Sequence, residues 1–133
     1  MRRGAGICAM LVYATLSAVG FAGAQSAFPF ERDLVLDARP IRGGKRVPVL
    51  AIGADGRAQV DLWCKRGQGQ ATIAGDTLTL ALGPMNDESC TAERALADEL
   101  MIAALSQVTG WSQRGYVVIL TGATPLRFRL ATN

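Results

Sequence analysis

The sequence predicts a mainly β domain of the α+β class: a small antiparallel sheet or partial barrel of about 7–8 strands, with one helix at about 92–108. Three observations carry this expectation. Apolar and polar residues alternate in several short runs, as in Ala58, Val60, Leu62 and Cys64 against Gln59, Asp61, Trp63 and Lys65, the period of a half-buried strand. Glycine-containing turns separate the runs and are too short for a parallel crossover. After Cys90 a single segment changes to helical spacing.

The elements follow in chain order. Leu34 to Leu36 reads as a short strand, ended by the Pro40 and Gly43-Gly44 break. Residues 47–52 and 57–64 flank Gly53-Ala54-Asp55-Gly56, a good hairpin turn, and the second strand places Cys64 inward. Residues 70–82 form another hairpin about Gly75-Asp76, with Leu78, Leu80 and Leu82 on one face. The glycine-bearing stretch 65–70 and the stretch 83–90 read as loops. A helix then runs from about Ala92 to Val108, with Thr91 as N-cap and Glu93 in the first turn, where the helix dipole favours a negative charge. Its apolar stripe is Leu96, Leu100, Met101, Ala104, Leu105 and Val108, with Glu93, Arg94, Asp98 and Glu99 largely off that stripe, and Gly110 ends it. Three short strands close the chain, turning at Arg114-Gly115 and at 121–124, with Val118, Leu120, Leu126, Phe128 and Leu130 inward.

The first residues carry a targeting pattern. Arg2 and Arg3 precede an apolar run from Ile7 to Phe21, and Ala22-Gly23-Ala24 fits a small-x-small cleavage site. The run, about 15 residues long, falls short of the roughly 20 that a membrane span needs. Residues 1–24 are therefore read as a cleaved signal peptide and 25–133 as a single domain, periplasmic or secreted, with no membrane anchor after cleavage. Cys8 leaves with the leader. The chain has 14 basic and 11 acidic residues. Two of the basic residues belong to the leader and the rest are scattered, so the sequence gives no case for a nucleic-acid partner.

Two cysteines remain, in an oxidising compartment, and an even count there reads as a disulfide. Joining Cys64 to Cys90 closes a loop of about 27 residues, worth roughly 3–4 kcal/mol on a chain-entropy estimate. The alternatives are free thiols, or a metal site completed by two of Asp87, Glu88 and Glu93. Zinc wants four ligands and the chain has no histidine. Cys-x-x-Cys redox spacing is also absent. Without histidine the usual catalytic triads are excluded, and no cofactor motif is present. Trp63, with Lys65 and Arg66 beside it, is a candidate binding surface, because Trp63 points outward if Cys64 points inward. Burial of Trp63 under a loop or under the Phe28–Phe30 segment is the competing expectation.

The order of these features resembles a known family. "CKRGQG", the hairpin ending "GDTLTL", the helix "CTAERALADELMIAALSQVTGW" and the closing "GYVVILTGATPLRFRL" together are similar to the META-domain, or HslJ-like, family across about residues 34–131. Trp63-Cys64-Lys65 stands where the family usually has Gly-Cys-Asn, which makes this chain a divergent member. The resemblance implies a small antiparallel β fold with one helix in exported proteins linked to envelope or heat stress, and it brings no catalytic residues. The expectation is a non-enzymatic periplasmic domain that binds or supports an envelope protein partner. The alternative is an exported inhibitor of a hydrolase, a lysozyme or a protease, acting through the loops at 40–48, 65–70 and 83–90.

Overall fold

The computed structural model describes residues 27–132. The leader expected at 1–24 lies outside them. The chain forms eight strands and one helix: β1 (Asp33–Leu36), β2 (Val49–Ile52), β3 (Arg57–Asp61), β4 (Arg66–Ala74), β5 (Thr77–Met85), α1 (Ala92–Ser106), β6 (Val108–Arg114), β7 (Val117–Gly122) and β8 (Leu126–Leu130). The strands neighbour one another in sequence order and β8 pairs with β1, so the sheet closes into an antiparallel barrel. The expected mainly β fold with one helix is the fold observed, and the partial barrel is a closed one.

Alternation explains the core. Leu34, Leu50, Ile52, Ala58, Val60, Leu78, Leu80, Val118, Leu120, Leu126, Phe128 and Leu130 point inward and are buried. Each large apolar side chain removed from water in this way contributes roughly 1.5–3 kcal/mol. A barrel of eight strands has an interior just wide enough for such side chains to fill. At the lower end, Phe28 packs edge-on against Trp111 with ring centroids 5.1 Å apart. Gly56 takes φ +85° in the β2–β3 turn, where an added Cβ would lie 2.7 Å from the Ala71 carbonyl oxygen.

Two segments expected as loops, 65–70 and 83–90, are partly strand, while residues 86–90 form a loop as expected. β4 begins at Arg66 and β5 runs on to Met85. The glycines that suggested a loop are there for room: a Cβ on Gly69 would stand 2.5 Å from the carbonyl oxygen of Ala81 on β5. Conversely, the strand expected over 57–64 ends at Asp61, and Leu62–Lys65 turns the chain into β4.

Between β5 and β6 the paired register is a single position, Thr77 with Gly110, extended by the Trp111 N–H to the Asp76 carbonyl at 2.9 Å. Helix α1 packs along β5 beside this short seam. It starts at Thr91, whose hydroxyl accepts the Arg94 N–H, and inserts Met101, Ala104 and Leu105 into the core. The phase of the helix corrects the expected stripe. Leu96 and Leu100 are 58% and 64% exposed, while Asp98 is 1% exposed. The helix also ends at Ser106, so Val108 and Gly110 belong to β6.

Candidate functional site

In an up-and-down barrel alternate connections share an end. The β1–β2 loop, the Leu62–Lys65 turn and the segment from β5 to α1 therefore gather at one rim, and the first half of α1 crosses it. This rim holds the residues singled out from the sequence.

Cys64 and Cys90 are bridged, with Cα atoms 6.0 Å apart. The bridge ties the turn to the segment that leads into α1. Cys64 is buried, inward as expected. Asp98 meets the same turn from the helix. One carboxylate oxygen accepts the Trp63 N–H at 2.9 Å, and the other accepts from Lys65 at 2.8 Å and from Cys64 at 3.2 Å. Three successive backbone donors thus converge on one buried carboxylate, which satisfies a charge that burial alone would penalise heavily.

Three of the four carbonyls of the turn are held as well. Arg94, one helical turn before Asp98, donates to the Trp63 carbonyl at 3.0 Å and to the Gly43 carbonyl at 3.3 Å. Arg46, in the β1–β2 loop, donates to the Cys64 carbonyl. A third carbonyl, on Lys65, accepts the Leu62 N–H at 2.8 Å. Asn86 adds a further tie, accepting the Arg66 N–H at 2.8 Å through its side-chain oxygen. The result is a turn of four residues whose polar backbone is gripped from helix, loop and bridge.

The candidate binding residues lie on the outside of this clamp. Trp63 is half-buried, and its indole N–H donates to the Arg39 carbonyl at 3.2 Å. It is covered by the β1–β2 loop and not by the Phe28–Phe30 segment, whose Phe28 packs on Trp111 instead. Lys65 is half-exposed. Arg66 is exposed and pairs across strands with Asp61 at 3.7 Å, a contact worth little in open solvent. Asp87, Glu88 and Glu93 are exposed and form no site with the cysteines.

Chemically, the two sulfurs and an Asp98 oxygen lie within 4.8 Å of one another. While the sulfurs are bonded to each other they are not thiolates, the form that binds a metal, and the Asp98 oxygens already serve three N–H groups. The cluster is a structural lock in this state. The sequence reading missed Asp98 and Arg94. The available signal was that Asp98 falls in phase with Met101 and Leu105, three and seven residues on, so a carboxylate on the buried stripe demands donors.

Comparisons with known proteins agree with this architecture. The family model described as "META domain" matches residues 30–132. A protein structure determined by NMR aligns with a TM-score of 0.58 at 17% identity, over 74% of this chain and 88% of that one. A DUF4847 family protein from Bacteroides vulgatus aligns with a TM-score of 0.50 at 16% identity, over 62% of this chain and 57% of that one. At these identities both likenesses speak to fold alone. No curated protein matches the chain in sequence.

Proposed function

The chain belongs to the META-domain family, and from that membership we propose that it is an exported, non-enzymatic protein of the cell envelope that binds or supports an envelope protein partner. The observation that carries the proposal is the clamped rim. Asp98, Arg94, Arg46 and the Cys64–Cys90 bridge fix one turn from both polarities. A rigid rim presents Trp63, Lys65 and Arg66 without the ordering cost that a flexible loop incurs on binding. A disulfide in that position suits an oxidising compartment, in keeping with the leader pattern at 1–24. Asp98 is committed to backbone donors, which favours a holding role over acid–base work. A link to heat or envelope stress is part of the same proposal.

The test has two arms. Intact mass of the protein recovered from the periplasm, alkylated with and without reduction, should give a chain starting at Gln25 that takes two alkyl groups only after reduction. Photo-crosslinking from position 65 or 66 in living cells should then trap a defined envelope protein. Loss of that adduct on replacing Trp63 is expected. A chain that stays in the cytoplasm with free thiols overturns the proposal. A sub-micromolar complex with a purified lysozyme or protease, abolished by alanine changes in the 40–48 loop, would replace it with the hydrolase-inhibitor reading.

A further inference from the structure

The outer wall of the barrel is not uniform. On β3, β4 and β5 the outward residues along the middle of the strands are uncharged and polar, Gln59, Gln68, Gln70, Thr72 and Thr79, with the charged Arg57, Asp61 and Arg66 at the strand ends. On the opposite wall Arg114, Arg127 and Arg129 are interleaved with Val35, Val117 and Ile119 at outward positions of β6, β7, β8 and β1, which also include Ser112, Thr121 and Asp33. Arg114 pairs across strands with Val117, Val117 with Arg129, Ile119 with Arg127, and Arg129 with Val35. Val35, Val117 and Ile119 are half-buried at positions paired with these arginines, and an arginine can cover apolar surface with its stem while its guanidinium group reaches water.

Charge on this wall is unbalanced. Asp37 pairs with Arg127 at 3.1 Å and with Arg129 at 3.6 Å, so one carboxylate serves two cations. Arg114 has no ion-pair partner among the described residues. Arg32 adds a cation at the lower edge, donating to the Ala131 carbonyl at 3.1 Å, beside the exposed Asp33. A shallow depression of about 370 Å³ lies among Ser112, Arg114, Val117, Ile119 and Arg127. Tyr116, 67% exposed, stands at the same edge in the turn between β6 and β7.

We propose that this wall is a peripheral docking surface for an anionic lipid bilayer. Arginines framing apolar side chains, with an exposed tyrosine at the margin, match a surface that is negative at the headgroups and apolar just beneath them. A soluble polyanion would draw on the arginines alone and leave Val117 and Ile119 without a role. The association is reversible and weak. Each cation near an anionic leaflet contributes roughly fivefold in partitioning, and the apolar residues supply the remainder.

The test is co-sedimentation of the protein, bridge intact, with vesicles of mixed phosphatidylglycerol and phosphatidylcholine, and with phosphatidylcholine alone. Binding is expected only to the anionic vesicles and should fall in high salt. R114Q, at an exposed site without an ion pair, should lower partitioning about fivefold. V117S with I119S should lower it several-fold, with circular dichroism confirming the barrel. Q68S, on the opposite wall, should leave it unchanged. Equal binding of R114Q and the parent overturns the proposal, and includes the case in which the 7–21 stretch does the binding. Loss with R114Q but not with V117S/I119S, in folded protein, also overturns it and leaves a site for soluble anions. Should V117S/I119S fail to fold, Y116S takes its place and must weaken binding.

Discussion

Asp98 and Arg94, one turn apart on α1, grip the same backbone turn by opposite polarities: Asp98 accepts the Trp63 N–H at 2.9 Å while Arg94 donates to the Trp63 carbonyl at 3.0 Å. A peptide segment that reverses direction inside a rim cannot satisfy its own donors and acceptors as a strand does. Here the helix does it from the side, and the spacing of four residues brings both groups to one face. The helix is thus fixed to the barrel by polar contacts at its first half and by Met101, Ala104 and Leu105 at its second. The bridge acts in parallel, since Cys64 sits inside the gripped turn.

Asp98→Asn tests this grip. An amide keeps one acceptor oxygen but turns a donor toward a backbone N–H, so at least one buried donor loses its partner. The expected loss is about 2–4 kcal/mol, read from the midpoint of urea unfolding. Arg94→Ala should cost about 1–2 kcal/mol. Because both residues hold one turn, the double variant should lose less than the two single losses together. Strict additivity would show that the two contacts are independent.

Replacing both cysteines by alanine should lower stability by about 3–4 kcal/mol while preserving the barrel, because Asp98 and Arg94 still hold the turn. Far-UV circular dichroism and the denaturant midpoint check both halves of this expectation. In the background of Asp98→Asn the same change should leave the rim unfixed, visible as rapid amide exchange of residues 62–65.

The strands were legible because alternation is a local signal: Ala58 and Val60 inward against Arg57 and Gln59 outward is written in adjacent residues. Thr91 and Glu93 likewise marked the start of the helix. The clamped rim was less legible. The donors that stabilise buried Asp98 lie 33–35 positions earlier, and no window along the helix contains them. Periodicity therefore sent Leu96 and Leu100 inward and Asp98 outward, the reverse of the fold. Gly67 and Gly69 misled for another reason. Alternating glycines have the composition of a loop, yet in β4 they give the neighbouring β5 backbone room to approach.

Gly69→Val measures that need for room. The Cβ alone would lie 2.5 Å from the Ala81 carbonyl oxygen and 3.1 Å from the Leu82 Cα, and backbone cannot swing aside as a side-chain tip can. A loss of about 2–3 kcal/mol is expected, within the range for overpacking, with exchange protection falling first along β4 and β5. Were 65–70 a free loop, the same substitution would be nearly neutral.

The phase of α1 gives the last contrast. Leu96 and Leu100 lie four residues apart on an exposed face, so replacing both by Gln removes little packing and only a few tenths of helix propensity per site. The unfolding midpoint should correspond to a change within about 0.5 kcal/mol. Leu105, 1% exposed, should lose about 2–5 kcal/mol on truncation to alanine, because the barrel wall around it cannot collapse into the space. The comparison separates two readings of one leucine-rich stripe. If Leu96 and Leu100 are the costly pair and Leu105 the tolerant one, the helix is rotated from the phase described. Asp98 would then face solvent, and the grip on Leu62–Lys65 would go with it.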